Sequence, residues 1–308
     1  MPDQPSWTLV IHGGAGVLER SRMTPELDAA HRAGLDAALA AGAAVLGDGG
    51  SALDAVEAAA RALEDNELFN AGRGAVLTFD GTTELDAAIM DGRERDAGAV
   101  TGVSATRNPI SLARAVMEHS PHVLLGGRGA DQFAREIGAE QAGRDYFDLP
   151  QRRQQLEELK AKGADWFDVD MKFGTIGAVA RDADGHVAAA TSTGGITGKR
   201  WGRIGDSPLI GAGTWADDRS CAVSATGSGE YFIRAAVAHE IAARIRYLGE
   251  SAQAAADAVI ADVGALGGNG GVIVVTPAGE PVYAFNSEGM YRGTATADGR
   301  TVAIYGDE

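Results

Sequence analysis

The sequence predicts an α+β fold of layered sheets and helices, and three observations carry that prediction. Short apolar segments alternate with turn dipeptides at hairpin spacing, so antiparallel pairs outnumber β-α-β crossovers. Helical segments come in pairs between groups of strands: strands, two helices, strands, and then the same order again. The strand segments 178–180 and 187–190 are apolar at every position, which suits sheets covered on both faces.

The elements follow in order. Residues 8–11 read as a buried strand running into a turn at His12-Gly13-Gly14-Ala15-Gly16. Thr24-Pro25-Glu26 opens an alanine-rich helix, with a capping hydroxyl and proline at the first helical position, that ends near 47–50. Ser51 caps a second helix reaching Glu64, with Leu53, Val56 and Ala60 at helical spacing. Strands at 75–79, 84–90 and 98–104 are separated by the hairpin dipeptides Asp80-Gly81 and Asp91-Gly92. Pro109 starts a helix to Glu118; a short strand at 123–125 and a helix at 130–137 follow. The stretch 140–174 is charged and weakly periodic, with an exposed helix over 150–162 and a linker over 163–173. Strands 175–181 and 186–193 form a hairpin around Asp182-Ala183-Asp184-Gly185. A strand at 220–226 leads into one long amphipathic helix over 230–247 and a second over 251–263. Strands 271–276 and 281–286 pair around Pro277-Ala278-Gly279, and 301–305 closes the sheet.

Composition narrows the function. The chain has 308 residues, 45% of them hydrophobic, enough for a substantial core. Its net charge of −16 argues against a nucleic-acid partner and against an anionic membrane surface. An acidic small-molecule substrate would need a local cation to offset that field. The longest apolar run, 37–47, is too short to span a bilayer. Met1-Pro2-Asp3-Gln4-Pro5 lacks the pattern of a signal peptide, and Cys221 is the single cysteine, so a cytoplasmic setting is expected. Glycine is the outlier, 43 residues of 308, and it clusters at 13–16, 194–195, 227–229 and 267–271. Clustered glycines let backbone approach backbone or ligand, as in a site built from loops at strand ends.

Familiar catalytic patterns are missing. There is no Cys-x-x-Cys and no His-Glu-x-x-His, and His119-Ser120-Pro121-His122 has no third ligand nearby in sequence. There is no Gly-x-Ser-x-Gly elbow, and no histidine follows His239 to complete a Ser…Asp…His order. What remains is rich in threonine. Thr175 follows Gly174 at the start of a strong strand, just after the weak linker. A chain break between them would give Thr175 an α-amino group titrating near 7.7–8.0, a base for its own hydroxyl. Thr193 ends the strand paired with the one that Thr175 begins, so hairpin geometry places the two side by side. Thr226 and Gly227 end another strand before a helix, where a hydroxyl and a backbone N–H can hold an oxyanion. Arg203 suits a carboxylate and Asp206 an ammonium, together the head of a free amino acid; an ordinary loop salt bridge is the plainer reading of that pair.

Taken together these segments resemble the plant-type asparaginase and isoaspartyl peptidase family of N-terminal-nucleophile hydrolases. The resemblance covers nearly the whole chain: Ile11-His12-Gly13-Gly14-Ala15-Gly16, Leu68-Phe69-Asn70-Ala71-Gly72, Glu84-Leu85-Asp86-Ala87, Ala97-Gly98-Ala99-Val100, Arg107-Asn108-Pro109, the region 174–229, 267–271 and Glu288-Gly289-Met290-Tyr291. It implies a single domain, a four-layer αββα sandwich that cleaves itself between Gly174 and Thr175 into an α chain, 1–174, and a β chain, 175–308. It implies Thr175 as nucleophile, Thr193 as its orienting partner, Thr226 and Gly227 as the oxyanion hole, and Arg203, Asp206 and Gly229 as contacts to the substrate head. It places Asn70 beside the nucleophile, in the precursor and among the substrate-binding residues. An alkali-ion loop of backbone carbonyls falls on Leu63, Glu64, Asn66, Phe69, Ala71 and Arg73, for sodium or potassium and with no organic cofactor. The implied reaction is hydrolysis of the side-chain amide or isopeptide bond of L-asparagine and β-aspartyl dipeptides, releasing L-aspartate, by a homodimer of αβ units. The alternatives are a glycosylasparaginase-like hydrolase and a non-cleaving aspartate-binding homologue.

Overall fold

The computed structural model describes residues 7–16, 20, 23–163 and 174–308. In chain order the elements are β1 (Thr8–Gly16), α1 (Pro25–Gly47), α2 (Ala52–Glu64), β2 (Leu85–Asp91), β3 (Ala97–Val103), α3 (Pro109–His119), β4 (Leu124–Gly126), α4 (Gly127–Glu136), α5 (Arg144–Phe147) and α6 (Pro150–Ala161). They continue with β5 (Ile176–Arg181), β6 (Val187–Thr193), β7 (Thr214–Asp217), β8 (Cys221–Gly227), α7 (Gly229–Ala235), α8 (Val237–Ala243), α9 (Ala252–Ala265), β9 (Gly270–Val275), β10 (Pro281–Phe285), β11 (Gly289–Thr296) and β12 (Gly299–Tyr305). The caps form as their residue types dictate. Thr24 Oγ accepts the Leu27 N–H at 3.2 Å and Ser51 Oγ the Asp54 N–H at 3.1 Å.

Two sheets organise the chain. The larger runs β12-β11-β1-β5-β6-β2-β3-β4, antiparallel except for the β3–β4 pair; the smaller runs β10-β9-β8-β7. Three apolar cores separate four layers. Leu35, Leu39, Val56, Leu63 and Ile110 of the first helices pack on Leu9, Ile89 and Ile176 of the large sheet. Val10, Val179, Met90, Val187 and Met290 of the large sheet face Ala222, Ile273 and Val275 of the small one. Ile241, Val259 and Val263 of α8 and α9 cover Val223, Val272 and Val274. Helix, sheet, sheet, helix is the αββα arrangement, and it explains why strands such as β5 and β6 are buried on both faces.

Several expectations are corrected. Residues 75–79 are not a strand, and Asp80-Gly81 turns a loop closed by the Thr78 N–H bond to the Thr82 carbonyl rather than a hairpin. The His12–Gly16 glycines continue β1 instead of turning it. A Cβ on Gly13 would sit 2.5 Å from the Phe69 ring, so glycine is there for close packing in an extended strand. The single long helix over 230–247 is broken at Ala236, which adopts φ 48°. The Ala238 and His239 N–H groups donate to the Ala212 and Gly211 carbonyls, so bonds to a neighbouring loop replace those a continuous helix would make. Strands β7 and β11 carry no clean alternation of polar and apolar residues, so the sequence does not mark them as strands. Residues 164–173 of the linker lie outside the described residues.

Helix α3 lies close on β3 because Gly98 has no side chain: a Cβ there would fall 2.0 Å from the Ala113 carbonyl oxygen and 2.7 Å from the Met117 nitrogen. Gly98→Ala should therefore push helix from sheet and lower unfolding stability by about 1–3 kcal/mol, measured by thermal or urea denaturation.

Candidate active site

The predicted hairpin exists, with Ile176 opposite Ser192 and Arg181 opposite Val187. Thr175 therefore sits just ahead of β5, beside the end of β6, with 8% of its surface exposed. Its hydroxyl donates to Thr193 Oγ at 3.2 Å. Thr193 Oγ accepts the Gly195 N–H at 3.0 Å and donates to the Gly174 carbonyl at 3.2 Å. That carbonyl has a second donor, Asn70 Nδ2 at 2.6 Å. Asn70 is pinned, because Nδ2 also donates to the Gly195 carbonyl at 2.7 Å and Oδ1 accepts the Val76 N–H at 2.9 Å. A Cβ on Gly174 would lie 2.9 Å from Asn70 Cβ, so the approach depends on glycine. Two donors on the Gly174 carbonyl draw electron density from its carbon, and the Thr175 hydroxyl belongs to the very next residue.

A second cluster is formed by Arg203, Asp206 and Gly229. A Cβ on Gly229 would lie 2.9 Å from both Arg203 Nη2 and Asp206 Oδ1. Asp206 is buried, and among the described residues its Oδ2 has no hydrogen-bond partner. Burial pushes its pKa up to about 7, against the pull of nearby Arg203. The plain loop salt bridge is not what forms. Arg203 instead donates from Nε and Nη2 to Glu230 Oε1 and Oε2, at 2.9 and 3.0 Å. Against the upward push of burial, Arg203 holds the Glu230 carboxyl below the usual range.

Strand β8 connects the clusters. Thr226 and Gly227 pair with Gly271 and Gly270 at its end, and Gly229 opens α7 two residues later. Thr226 is two residues from Ser224 and shares its face of the strand. Ser224 Oγ is 3.0 Å from His12 Nε2, and His12 Nδ1 donates to the Thr175 carbonyl at 3.0 Å. The Thr226 hydroxyl is buried and has no partner among the described residues. Gly227 has φ 149°, and a Cβ there would fall 2.4 Å from the Asn269 carbonyl oxygen, so the loop passes too closely for any side chain. Thr226 and Gly227 thus end a strand of the small sheet, on the face turned to the large-sheet strand that Thr175 precedes, and among the described residues make no direct bond to Thr175.

The segment carrying Leu63, Glu64, Asn66, Phe69, Ala71 and Arg73 winds from the end of α2 through a 3-10 turn at Gly72–Gly74. Its carbonyls pack against two glycines: the Phe69 and Glu67 oxygens would lie 2.1 and 2.7 Å from a Cβ on Gly74, and the Glu64 oxygen 2.5 Å from one on Gly72. Among the described residues no three His, Cys, Asp or Glu gather to hold a metal ion. The Glu64 side chain turns elsewhere, accepting from Ser192 Oγ at 2.6 Å and the Ile110 N–H at 3.0 Å, with burial pushing its pKa up to about 8.

Three neighbours of these clusters escaped sequence reasoning. Lys199 is fully buried beside Gly195, donates to the Glu84 carbonyl at 2.9 Å and lies 3.7 Å from Asp86, the cross-strand partner of Thr193. Glu230 follows Gly229 directly and reads as an ordinary first-turn acid. His12 reads in sequence as part of a glycine turn; its alternation with Val10, which faces the small sheet, is the signal that points it inward.

The asparaginase family matches residues 5–304. An isoaspartyl peptidase of Salmonella typhimurium is 48% identical, over 96% of this chain and 98% of its own. One of Escherichia coli is 47% identical, over 96% and 95%. The isoaspartyl peptidase/L-asparaginase of Homo sapiens is 43% identical, over 92% and 91%. With a match of this extent and the hydroxyl cluster of Thr175 and Thr193 at the head of β5, the chain belongs to the asparaginase family.

Proposed function

We propose that this protein cleaves itself before Thr175 and then hydrolyses β-aspartyl amide and isopeptide bonds, in L-asparagine and in isoaspartyl dipeptides. The observation that carries the reading is the Thr175 hydroxyl bonded to Thr193, next to a Gly174 carbonyl held by two donors. In the precursor, Thr175 Oγ attacks the Gly174 carbonyl carbon while Asn70 and Thr193 hold its oxygen. The C–N bond breaks, the nitrogen takes a proton, and an ester joins Gly174 to Thr175 Oγ. Water hydrolyses that ester, leaving a carboxylate on Gly174 and a free amine on Thr175.

In turnover the amine accepts the Thr175 hydroxyl proton, and the oxygen attacks the substrate's side-chain carbonyl. Thr226 Oγ and the Gly227 N–H receive the oxyanion. Ammonia or an amino acid leaves with the proton, and water releases L-aspartate from the threonine ester. Arg203 receives the α-carboxylate and Asp206 the α-ammonium, with Gly229 leaving room for both. The names of the relatives, isoaspartyl peptidase among bacteria and isoaspartyl peptidase/L-asparaginase in animals, support both substrate classes. The reading includes an α chain of 1–174 and a β chain of 175–308, a homodimer of such units, and a cytoplasmic setting. A sodium or potassium ion among the carbonyls of the 63–73 loop would stiffen the segment carrying Asn70 and take no part in bond making.

Intact mass over several days tests the first step, with fragments of 174 and 134 residues expected. A persistent single chain, with no aspartate released, overturns the reading. The Asp206 carboxyl adds a pH prediction. Only its ionised form attracts an ammonium, and its pKa stands at about 7. As pH falls below 7 the carboxyl protonates while the substrate ammonium does not, so KM should rise, approaching about tenfold per unit. Asp206→Asn should give a KM that is high throughout and flat across this range.

A further inference from the structure

His12 takes no part in the steps above, yet it is wholly buried with both ring nitrogens bonded. Beyond it runs a file of buried hydroxyls. Ser224 Oγ, 3.0 Å from His12 Nε2, is 2.7 Å from Thr191 Oγ, which is 2.7 Å from Thr214 Oγ. The protons in this file can be assigned by counting. The Thr175 carbonyl only accepts, so His12 Nδ1 carries a hydrogen. Burial lowers the imidazole pKa to about 3, so the ring is neutral and Nε2 must accept from Ser224. Each hydroxyl has one proton to give. Ser224's is committed to His12, so Thr191 donates to Ser224, and Thr214 donates to Thr191. The carbonyls of Gly213 and Ser207, at 3.2 and 3.0 Å from Thr191 and Thr214, are the longer alternatives. The file passes over Gly177, where a Cβ would lie 2.0 Å from Ser224 Oγ and 2.4 Å from His12 Nε2.

Thr175 stands one residue outside the β5 ladder. Before cleavage its backbone is held from both sides: by Asn70 and Thr193 through the Gly174 carbonyl, and by His12 through its own. Breaking the Gly174–Thr175 bond removes the first hold and leaves the second. We propose that His12 is a positioning residue, its tautomer set by the accept-only Thr175 carbonyl and matched by the Thr214–Thr191–Ser224 file, whose Nδ1–H anchors that carbonyl and keeps the new amine and hydroxyl in place for turnover. The proposal rests on Thr175 being the nucleophile.

Two amides separate anchoring from space-filling. His12→Asn places an N–H where Nδ1 was and can still reach the Thr175 carbonyl; His12→Gln places its amide where Nε2 was. In matured protein, His12→Asn should keep kcat within about fivefold, whereas His12→Gln and His12→Leu should lose about 10²-fold in kcat with little change in KM, the scale of a nucleophile displaced by about 1 Å. Ser224→Ala should lose about tenfold. Imidazole 15N NMR of the unmodified protein should show Nδ1 protonated and Nε2 bare from about pH 5 to 9, and Ser224→Ala should shift the Nε2 resonance, which loses its donor, while Nδ1 stays protonated. Equal activity in the Asn and Gln variants, a loss confined to KM, or a proton found on Nε2 overturns the proposal. The NMR outcome stands even if the His12 variants fail to fold. If unmodified protein with a free Thr175 amine releases no aspartate, it is the reading of the site that falls, and the tautomer result is unaffected.

Discussion

Thr175→Ala should remain one 308-residue chain indefinitely and release no aspartate from asparagine or any β-aspartyl dipeptide. One hydroxyl performs both reactions, so both rates should fall below detection, a loss of at least about 10⁴-fold on the scale of removing a covalent nucleophile. The fold should survive. Among the described residues the Thr175 hydroxyl bonds only to Thr193 Oγ, and Thr193 keeps its Gly195 donor and its Gly174 acceptor without it. Substituting alanine leaves a methyl-sized gap that costs about 1 kcal/mol. Thr175→Ser separates the reactions further. It retains the oxygen and lets it rotate more freely, so cleavage and turnover should persist at reduced rate. Intact mass reads the first reaction and an aspartate assay the second. Fragments, or undiminished turnover, in the alanine variant would remove Thr175 from both roles.

Much of the fold was legible because its signals are local. Thr24-Pro25 and Ser51 cap helices whatever lies around them, and the Asp182–Gly185 turn sets the register that brings Thr193 to Thr175. What was not legible depends on partners distant in sequence. Nothing within the 230–247 segment announces the break at Ala236, because the carbonyls that take over its hydrogen bonds belong to Gly211 and Ala212. The glycines of β1 read as a turn by composition, and only the Phe69 ring against Gly13 explains them as strand. The site divides the same way. Strand position places Thr193 beside Thr175, and the family resemblance singles out Arg203 and Asp206 in their loop, but the clasp of Glu230 on Arg203 needs α7 to begin where it does. Lys199 is hidden for another reason: a lysine in a loop is ordinarily solvated, and its burial against Glu84 and Asp86 appears only when β2 lies beside β6.

Thr226→Val should move activity and stability in opposite directions. Valine matches threonine in shape, and β8 is a buried strand that accepts a β-branched residue, so packing is preserved. In the resting protein the Thr226 hydroxyl is fully buried with no partner among the described residues, a condition that costs about 1–3 kcal/mol for such a group. Removing it should leave the melting temperature unchanged or raise it. A group kept at that cost is expected to be used, and the use that fits is an oxyanion that exists only during the reaction. Loss of one oxyanion donor lowers kcat by about 10²–10³-fold. KM should change little, because the ground-state carbonyl gains less from the donor than the charged intermediate does. The Gly227 N–H remains, so some catalysis survives, in contrast to Thr175→Ala. Self-cleavage should respond less than turnover, because the Gly174 carbonyl already has Asn70 and Thr193 as donors. Melting curves, kcat and KM of the matured variant decide it. Full activity would show that Thr226 is only a buried strand residue, whereas a loss of stability would show that its hydroxyl has a partner in the resting protein.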